Sequence, residues 1–229
     1  MKDVTLNATV FAAHRMCLQL LCLLCFVPLV TAAQPNFVVI LVDDGAFMDF
    51  GGYGGEAKTP NINQLADEGV RFSNYHTSPL CATSRAMLLT GLDSHRTGVA
   101  TLPEVLRQEQ QEAEGYALRL SPGVDTIADL LREQGYETYM TGKWHLGRGD
   151  GDLPVDHGFD RSFILDASGA DNWEQKSFLP FYGEAPWFED GEPAMLPDEF
   201  YSSRFLVDKM MEYLDTRDMQ KPFLAYVAF

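Results

Sequence analysis

Apolar and polar positions along this 229-residue chain fall into runs that predict alternating strands and helices. Asn36 to Val42 is continuously apolar and β-branched, and reads as a fully buried strand, the first parallel strand of a sheet. Thr59-Pro60-Asn61 opens a helix through Leu65 to Glu68, which Gly69 ends. Val70 to Tyr75 alternates as a strand does. Cys81 leads into a helical run with Ala86 to Leu89 apolar, and Gly91 stands where a C-cap tolerates left-handed dihedrals. Asp125 to Gln134 is amphipathic, with Ile127, Leu130 and Leu131 on one face and Gly135 as terminator. Tyr136 to Met140 is the next strand, Tyr201 to Leu214 an amphipathic helix, and Phe223 to Phe229 another buried strand. Such alternation predicts an α/β fold, a mostly parallel central sheet with helices on both faces.

Other stretches lack that order. Phe47 to Gly55 is glycine-rich and looks like a phosphate-cradling loop, but no Gly-Lys-Ser/Thr follows it. Glu104 to Glu114 reads as a solvated helix or surface insertion. Residues 166–200, with Trp173, Phe181, Tyr182 and Trp187, read as irregular loops that build pocket walls or pack on the core.

The cysteines change the picture. Cys17, Cys22 and Cys25 lie in the apolar run Met16 to Val30, which is about the length of a signal-peptide core and short for a membrane span. Lys2 and Arg15 precede it, and Val30-Thr31-Ala32 offers small residues for cleavage. Residues 1–32 are therefore expected to be a signal peptide, with 33–229 an exported chain (periplasmic, secreted or lysosomal) and no stable membrane span. That chain keeps one cysteine, Cys81, a free thiol in an oxidising compartment. The net charge of −16, with no basic cluster, argues against nucleic acid and favours a small or singly charged anionic ligand over a polyanion.

Three short stretches carry candidate chemistry. Cys81 sits at or just before a helix N-terminus, where unpaired N–H groups favour negative charge, and Arg85 is about one turn further on. Asp43-Asp44-Gly45 follow the first strand at its carboxyl end, where open α/β sheets bind ligands, and the adjacent carboxylates suit calcium or magnesium. In Gly142-Lys143-Trp144-His145-Leu146-Gly147, a cation and an imidazole two residues apart face one side if the segment is extended.

Cys81-Ala82-Thr83-Ser84-Arg85, four mostly apolar residues and Thr90-Gly91 together resemble the sulfatase signature, Cys-x-Pro/Ala-x-Arg with Thr-Gly at the same spacing. The departure is Thr83 in place of Pro or Ala. Strand-Asp-Asp-Gly, the Thr-Pro-Asn helix, Gly-Lys-Trp-His-Leu-Gly and His157-Gly158-Phe159-Asp160 extend the likeness from about Asn36 to Phe229, nearest to bacterial-type arylsulfatases. The resemblance implies an alkaline-phosphatase-like fold, here its N-terminal part, truncated on the C-terminal side. It also implies hydrolysis of sulfuric esters. Cys81 is then converted to formylglycine by a formylglycine-generating enzyme, and Asp43, Asp44 and the modified Cys81 hold one Ca2+ or Mg2+. Arg85 and Lys143 hold the sulfate, and His145 assists the hydrated aldehyde. Two rivals stand beside this reading. One is a formylglycine phosphonate or phosphoester hydrolase of the same superfamily; the other is a non-catalytic binding chain with Cys81 unmodified.

Overall fold

The parallel strands of the sheet all deliver their carboxyl ends to one edge, and the candidate residues lie along that edge. The computed structural model describes residues 34–149, 151–179 and 183–229. The expected signal peptide, and Phe181 and Tyr182, lie outside the described residues. No helix among the described residues is long and apolar enough to cross a membrane.

In chain order the described strands are β1 (Phe37–Leu41), β2 (Glu137–Lys143), β3 (Arg161–Leu165), β4 (Trp187–Glu189), β5 (Glu192–Pro193) and β6 (Phe223–Ala228). They form one sheet in the order β1-β6-β2-β3-β4-β5. The β1–β6, β6–β2 and β2–β3 pairs are parallel, and the β4 and β5 pairings are antiparallel. The helices are α1 (Pro60–Glu68), α2 (Cys81–Thr90), α3 (Ser94–Thr97), α4 (Ile127–Glu133) and α5 (Ser202–Thr216).

β6 is buried on both faces, and its alternation divides the core. Leu224, Tyr226 and Ala228 join Ala82, Ala86 and Leu89 of α2, Met140 and Trp144 on one side. Ala225 and Val227 join Phe163, Trp187 and Leu206, Met210 and Tyr213 of α5 on the other. Helices thus cover both faces of a mostly parallel sheet, as expected.

The structure departs from the pattern at four places. β1 is not fully buried: it is the edge strand, and Val38 and Ile40 are 60% and 58% exposed. An apolar run specifies a strand but not what covers it. Val70 to Tyr75 forms no strand; Arg71 instead donates to the Gly52 carbonyl, and Tyr53 Oη to that of Phe72. α4 buries Ala128 rather than Ile127 and Leu130, which are exposed. Leu131 of the same face does pack against the core, and Gly158 (φ 87°) lies against the helix backbone, where a Cβ would come 2.2 Å from Asp129 N. Strands β3, β4 and β5 were not predicted, although Arg161-Ser162-Phe163-Ile164-Leu165 has a strand-like composition. Glu104 to Glu114 carries two short 3-10 turns, Pro103–Val105 and Gln108–Gln110.

The His157-Gly158-Phe159-Asp160 block is structural. His157 and Phe159 pack on Trp144, and Asp160 accepts from the Thr138 N–H at the start of β2. Burial pushes the His157 imidazole below its usual pKa, so its neutral form suits this packing. His95 is exposed and packs edge-on against Tyr116.

Candidate active site

Four elements meet at the carboxyl edge. Cys81 is the first residue of α2, after Leu80, whose side chain makes no cap. The first N–H groups of the helix therefore surround the Cys81 position with partial positive charge. Thr83 is buried in this turn, where its hydroxyl donates to Leu80 O at 2.7 Å and can accept from the Ser78 hydroxyl. A hydroxyl that finds two hydrogen-bond partners there makes threonine compatible with the local fold.

Arg85 is 2% exposed and ties three segments together. Its Nη1 donates to the Lys143 carbonyl at 2.8 Å and its Nη2 to Asp43 Oδ1 at 3.2 Å. The planar fork allows one side chain to hold both β2 and the turn after β1.

Lys143, at the end of β2, is the second tie. Its Nζ lies 2.7 Å from Asp43 Oδ2 and 3.3 Å from Cys81 Sγ. Burial pushes the Asp43 carboxyl up, but the hydrogen bond and charge of Lys143, with Arg85 behind them, outweigh it and hold Asp43 below the usual carboxylate range. Asp43 is ionised at neutral pH.

His145 brings Nδ1 to 3.5 Å from Cys81 Sγ. It reaches that point by a route different from the one expected: the segment is not extended, and His145 has φ 64°. A left-handed non-glycine residue costs about 1–2 kcal/mol. Trp144 offsets this cost; it is fully buried, and its Nε1 donates to the Asp152 carbonyl at 2.7 Å. Burial first, then the Lys143 and Arg85 charges, lower the His145 pKa to about 3. The imidazole is neutral, with Nδ1 toward Cys81 and Nε2 buried without a hydrogen-bond partner among the described residues.

Asp44 also has positive φ, 54°, and turns into a cavity of about 350 Å³ lined by Asp43, Cys81, Ser84 and Arg85. All six residues singled out in the sequence thus reach one edge, with Asp43, Cys81, Arg85, Lys143 and His145 in direct contact. Among the described residues, no three His, Cys, Asp or Glu side chains form a metal cluster. Asp43 and Asp44 supply two hard carboxylates of the six to eight oxygens that calcium takes, so these residues fit part of a cation site. A neighbouring set was not singled out: Asn172, Ser202 and Ser203 line a second cavity, of about 160 Å³, that shares Asp43 and Lys143. The sequence signal there is only Asp171-Asn172-Trp173 in a loop, which has no periodicity to mark it.

The arrangement can hold a tetrahedral dianion-like group beside position 81, between two cations, a neutral imidazole and a helix N-terminus. The sulfatase family model matches residues 35–229. An arylsulfatase of Klebsiella aerogenes is 36% identical over 203 residues, covering 86% of this chain and 42% of that relative. Among solved structures, Ps i-CgsB matches with a TM-score of 0.71 and 27% identity, over 86% of this chain and 45% of that one. BT4656, solved in complex with its substrate D-glucosamine-2-N,6-O-disulfate, matches with a TM-score of 0.65 and 28% identity, over 85% and 34% of the two chains. This chain spans less than half the length of each of these three relatives.

Proposed function

This chain belongs to the sulfatase family, and from that premise we propose that its carboxyl-edge site hydrolyses a small sulfate ester at a formylglycine made from Cys81. The observation that carries the reading is the placement of Cys81 Sγ, 3.3 Å from Lys143 Nζ and 3.5 Å from His145 Nδ1, at the N-terminus of α2. A formylglycine-generating enzyme is the partner that this reading requires. Conversion of Cys81 would place a hydrated aldehyde there, an oxygen nucleophile for sulfur.

The surrounding residues have separate tasks. Lys143 and Arg85 stabilise the negative charge on the sulfuryl oxygens as the ester S–O bond breaks. Their own geometry is fixed beforehand by Asp43 and the Lys143 carbonyl, so little reorganisation is needed. Neutral His145 exchanges a proton at Nδ1 with the group at position 81, because its lowered pKa leaves a lone pair or an N–H there at any pH above about 3. Asp43 and Asp44 would hold a Ca2+ or Mg2+ ion, whose charge would polarise the bound sulfate. Asp43 is already ionised, as a ligand must be.

The test is release of sulfate from 4-nitrophenyl sulfate by protein produced in cells that make formylglycine. Turnover by the wild type and none by Cys81→Ala supports the reading. Equal turnover by both proteins contradicts it.

A further inference from the structure

The opposite edge of the sheet carries a second concentration of charge. A cavity of about 440 Å³ opens at the amino ends of β2 and β3, where Arg132, Arg161, Arg217 and Lys221 face two carboxylates, Glu137 and Asp160. β2 begins at Glu137 and ends at Lys143, so this cavity lies about 20 Å from the carboxyl-edge site. We infer that it binds inorganic phosphate and discriminates against sulfate, a second anion site that owes nothing to the sulfate-ester reading.

Three observations carry it. First, the positive charge gathers here against the trend of the chain. The net charge is −16 with 17 Lys and Arg in all. Four of those cations converge on one cavity from the last turn of α4, the first residue of β3, the residue after α5 and the loop before β6. Cations at helix C-termini often serve only to balance the helix dipole. Arg217 does serve that way, since its Nη1 donates to Leu214 O. The other three keep donors to spare. Arg132 stands 3.8 Å from Asp129 and Lys221 3.8 Å from Glu137, both beyond hydrogen-bond reach. Arg161 spends its Nε on Asp190 at 2.7 Å and lies over the Tyr213 ring at 4.5 Å, with Nη2 4.0 Å from Glu189.

Second, Tyr213 lines the same cavity and is 1% exposed. Its Oη is buried without a hydrogen-bond partner among the described residues. Leaving a buried hydroxyl unpaired is costly, and an oxyanion in the cavity would accept from it.

Third, the carboxylates decide which anion fits. Glu137 is already spent: its Oε2 accepts from Tyr139 Oη at 2.7 Å and from the Asp218 N–H at 3.0 Å. Asp160 Oδ2 accepts from the Thr138 N–H at 3.0 Å and the Thr138 hydroxyl at 3.2 Å, while Oδ1 has no partner among the described residues. A carboxylate oxygen can only accept, so it repels an anion that has no proton to offer. Sulfate has none at neutral pH. Inorganic phosphate keeps an O–H there, which can donate to Asp160 while the other oxygens accept from the guanidinium and ammonium groups. A phosphate monoester dianion lacks that O–H and is disfavoured as sulfate is.

The experiment is an amide NMR titration of the whole chain with sodium phosphate, sodium sulfate or phenyl phosphate. Signals of Tyr136, Asp160 and Arg217 report on the cavity, and those of Ser84 and Lys143 on the carboxyl edge. The variants are Arg132→Gln combined with Lys221→Gln, and Asp160→Asn. Arg132 and Lys221 have side chains 47% and 53% exposed, so the double variant should melt as the wild type does. Phosphate is expected to shift the cavity signals at lower concentration than sulfate or phenyl phosphate. The double variant should weaken phosphate there by about 10-fold or more. Asp160→Asn can still accept from Thr138 and now offers an N–H, so sulfate should draw level with phosphate. Phosphate shifts confined to the carboxyl edge, or an unchanged cavity affinity in the double variant, overturn the site. Sulfate binding the wild-type cavity as tightly as phosphate overturns the discrimination.

Discussion

Asp43 and Lys143 are 100 residues apart in the chain and meet at 2.7 Å, although their strands are not neighbours in the sheet. β6 lies between β1 and β2, so the ion pair bridges over its carboxyl end. That bridge places the Lys143 ammonium against Cys81 and keeps Asp43 ionised.

Removing the bridge should therefore remove catalysis more than structure. Lys143→Ala is expected to lower kcat/KM for an aryl sulfate by about 10²- to 10³-fold, the usual cost of one charge-stabilising donor. Lys143→Arg should restore part of it, because the charge survives but its reach differs. Steady-state kinetics on the three proteins checks this; an unchanged kcat/KM in the alanine variant would place Lys143 outside the chemistry.

Arg85 is a tie as well as a cation. Arg85→Lys retains the charge but cannot donate to both Asp43 and the Lys143 carbonyl. With one buried charged hydrogen bond lost, the variant should be less stable by about 1.5–3 kcal/mol, read from the urea midpoint at constant m-value. A midpoint equal to that of the wild type would show that one donor suffices.

Gly142 tests how closely β2 and β6 must approach just before Lys143. It has φ 100°, and a Cβ there would lie 1.7 Å from Ala228 O. Gly142→Ala should cost more than about 4 kcal/mol and lower Tm by on the order of 10 °C or more. A cooperative thermal transition within a few degrees of the wild type would mean that the strands separate easily.

Much of this site was legible in the sequence because its information is local. Cys81, Arg85 and Gly91 are spaced on one helix, and Asp43-Asp44 and Lys143-Trp144-His145 each occupy a few residues after a strand. The convergence of Lys143 and His145 was also legible, but its cause was not. It depends on a left-handed backbone at His145 that a buried Trp144 holds in place, and no periodicity encodes that. Burial was the weakest inference. The β1 run says apolar without saying edge, and of the face read on α4 only Leu131 packs on the core, beside the buried Ala128. Asn172 and Ser203 escaped notice because a polar loop residue looks the same whether it faces water or a cavity.

Asp166, at the end of β3, gives a pH signature separate from the site. Burial pushes its carboxyl up to about 6. The folded chain then holds a proton between about pH 4 and 6 that the unfolded chain releases. Its contribution is fully present below pH 4 and is lost as pH rises through 6, on the order of 3 kcal/mol in all. Asp166→Asn should lack that decline, so its stability relative to the wild type should grow from pH 4 to pH 7. The difference between the two proteins isolates Asp166 from His145 and His157, whose lowered pKa values act in the opposite sense. Parallel profiles would show that Asp166 is ionised in the fold.

The most direct test of the account is the mass of the tryptic peptide Phe72 to Arg85, taken from protein exported by cells that make formylglycine. Conversion of Cys81 lowers the mass by roughly 18 Da, as sulfur and two hydrogens give way to oxygen. The account predicts that loss, together with hydrolysis of a sulfate ester by the same preparation. An intact thiol at Cys81 in a preparation that hydrolyses the ester would contradict it.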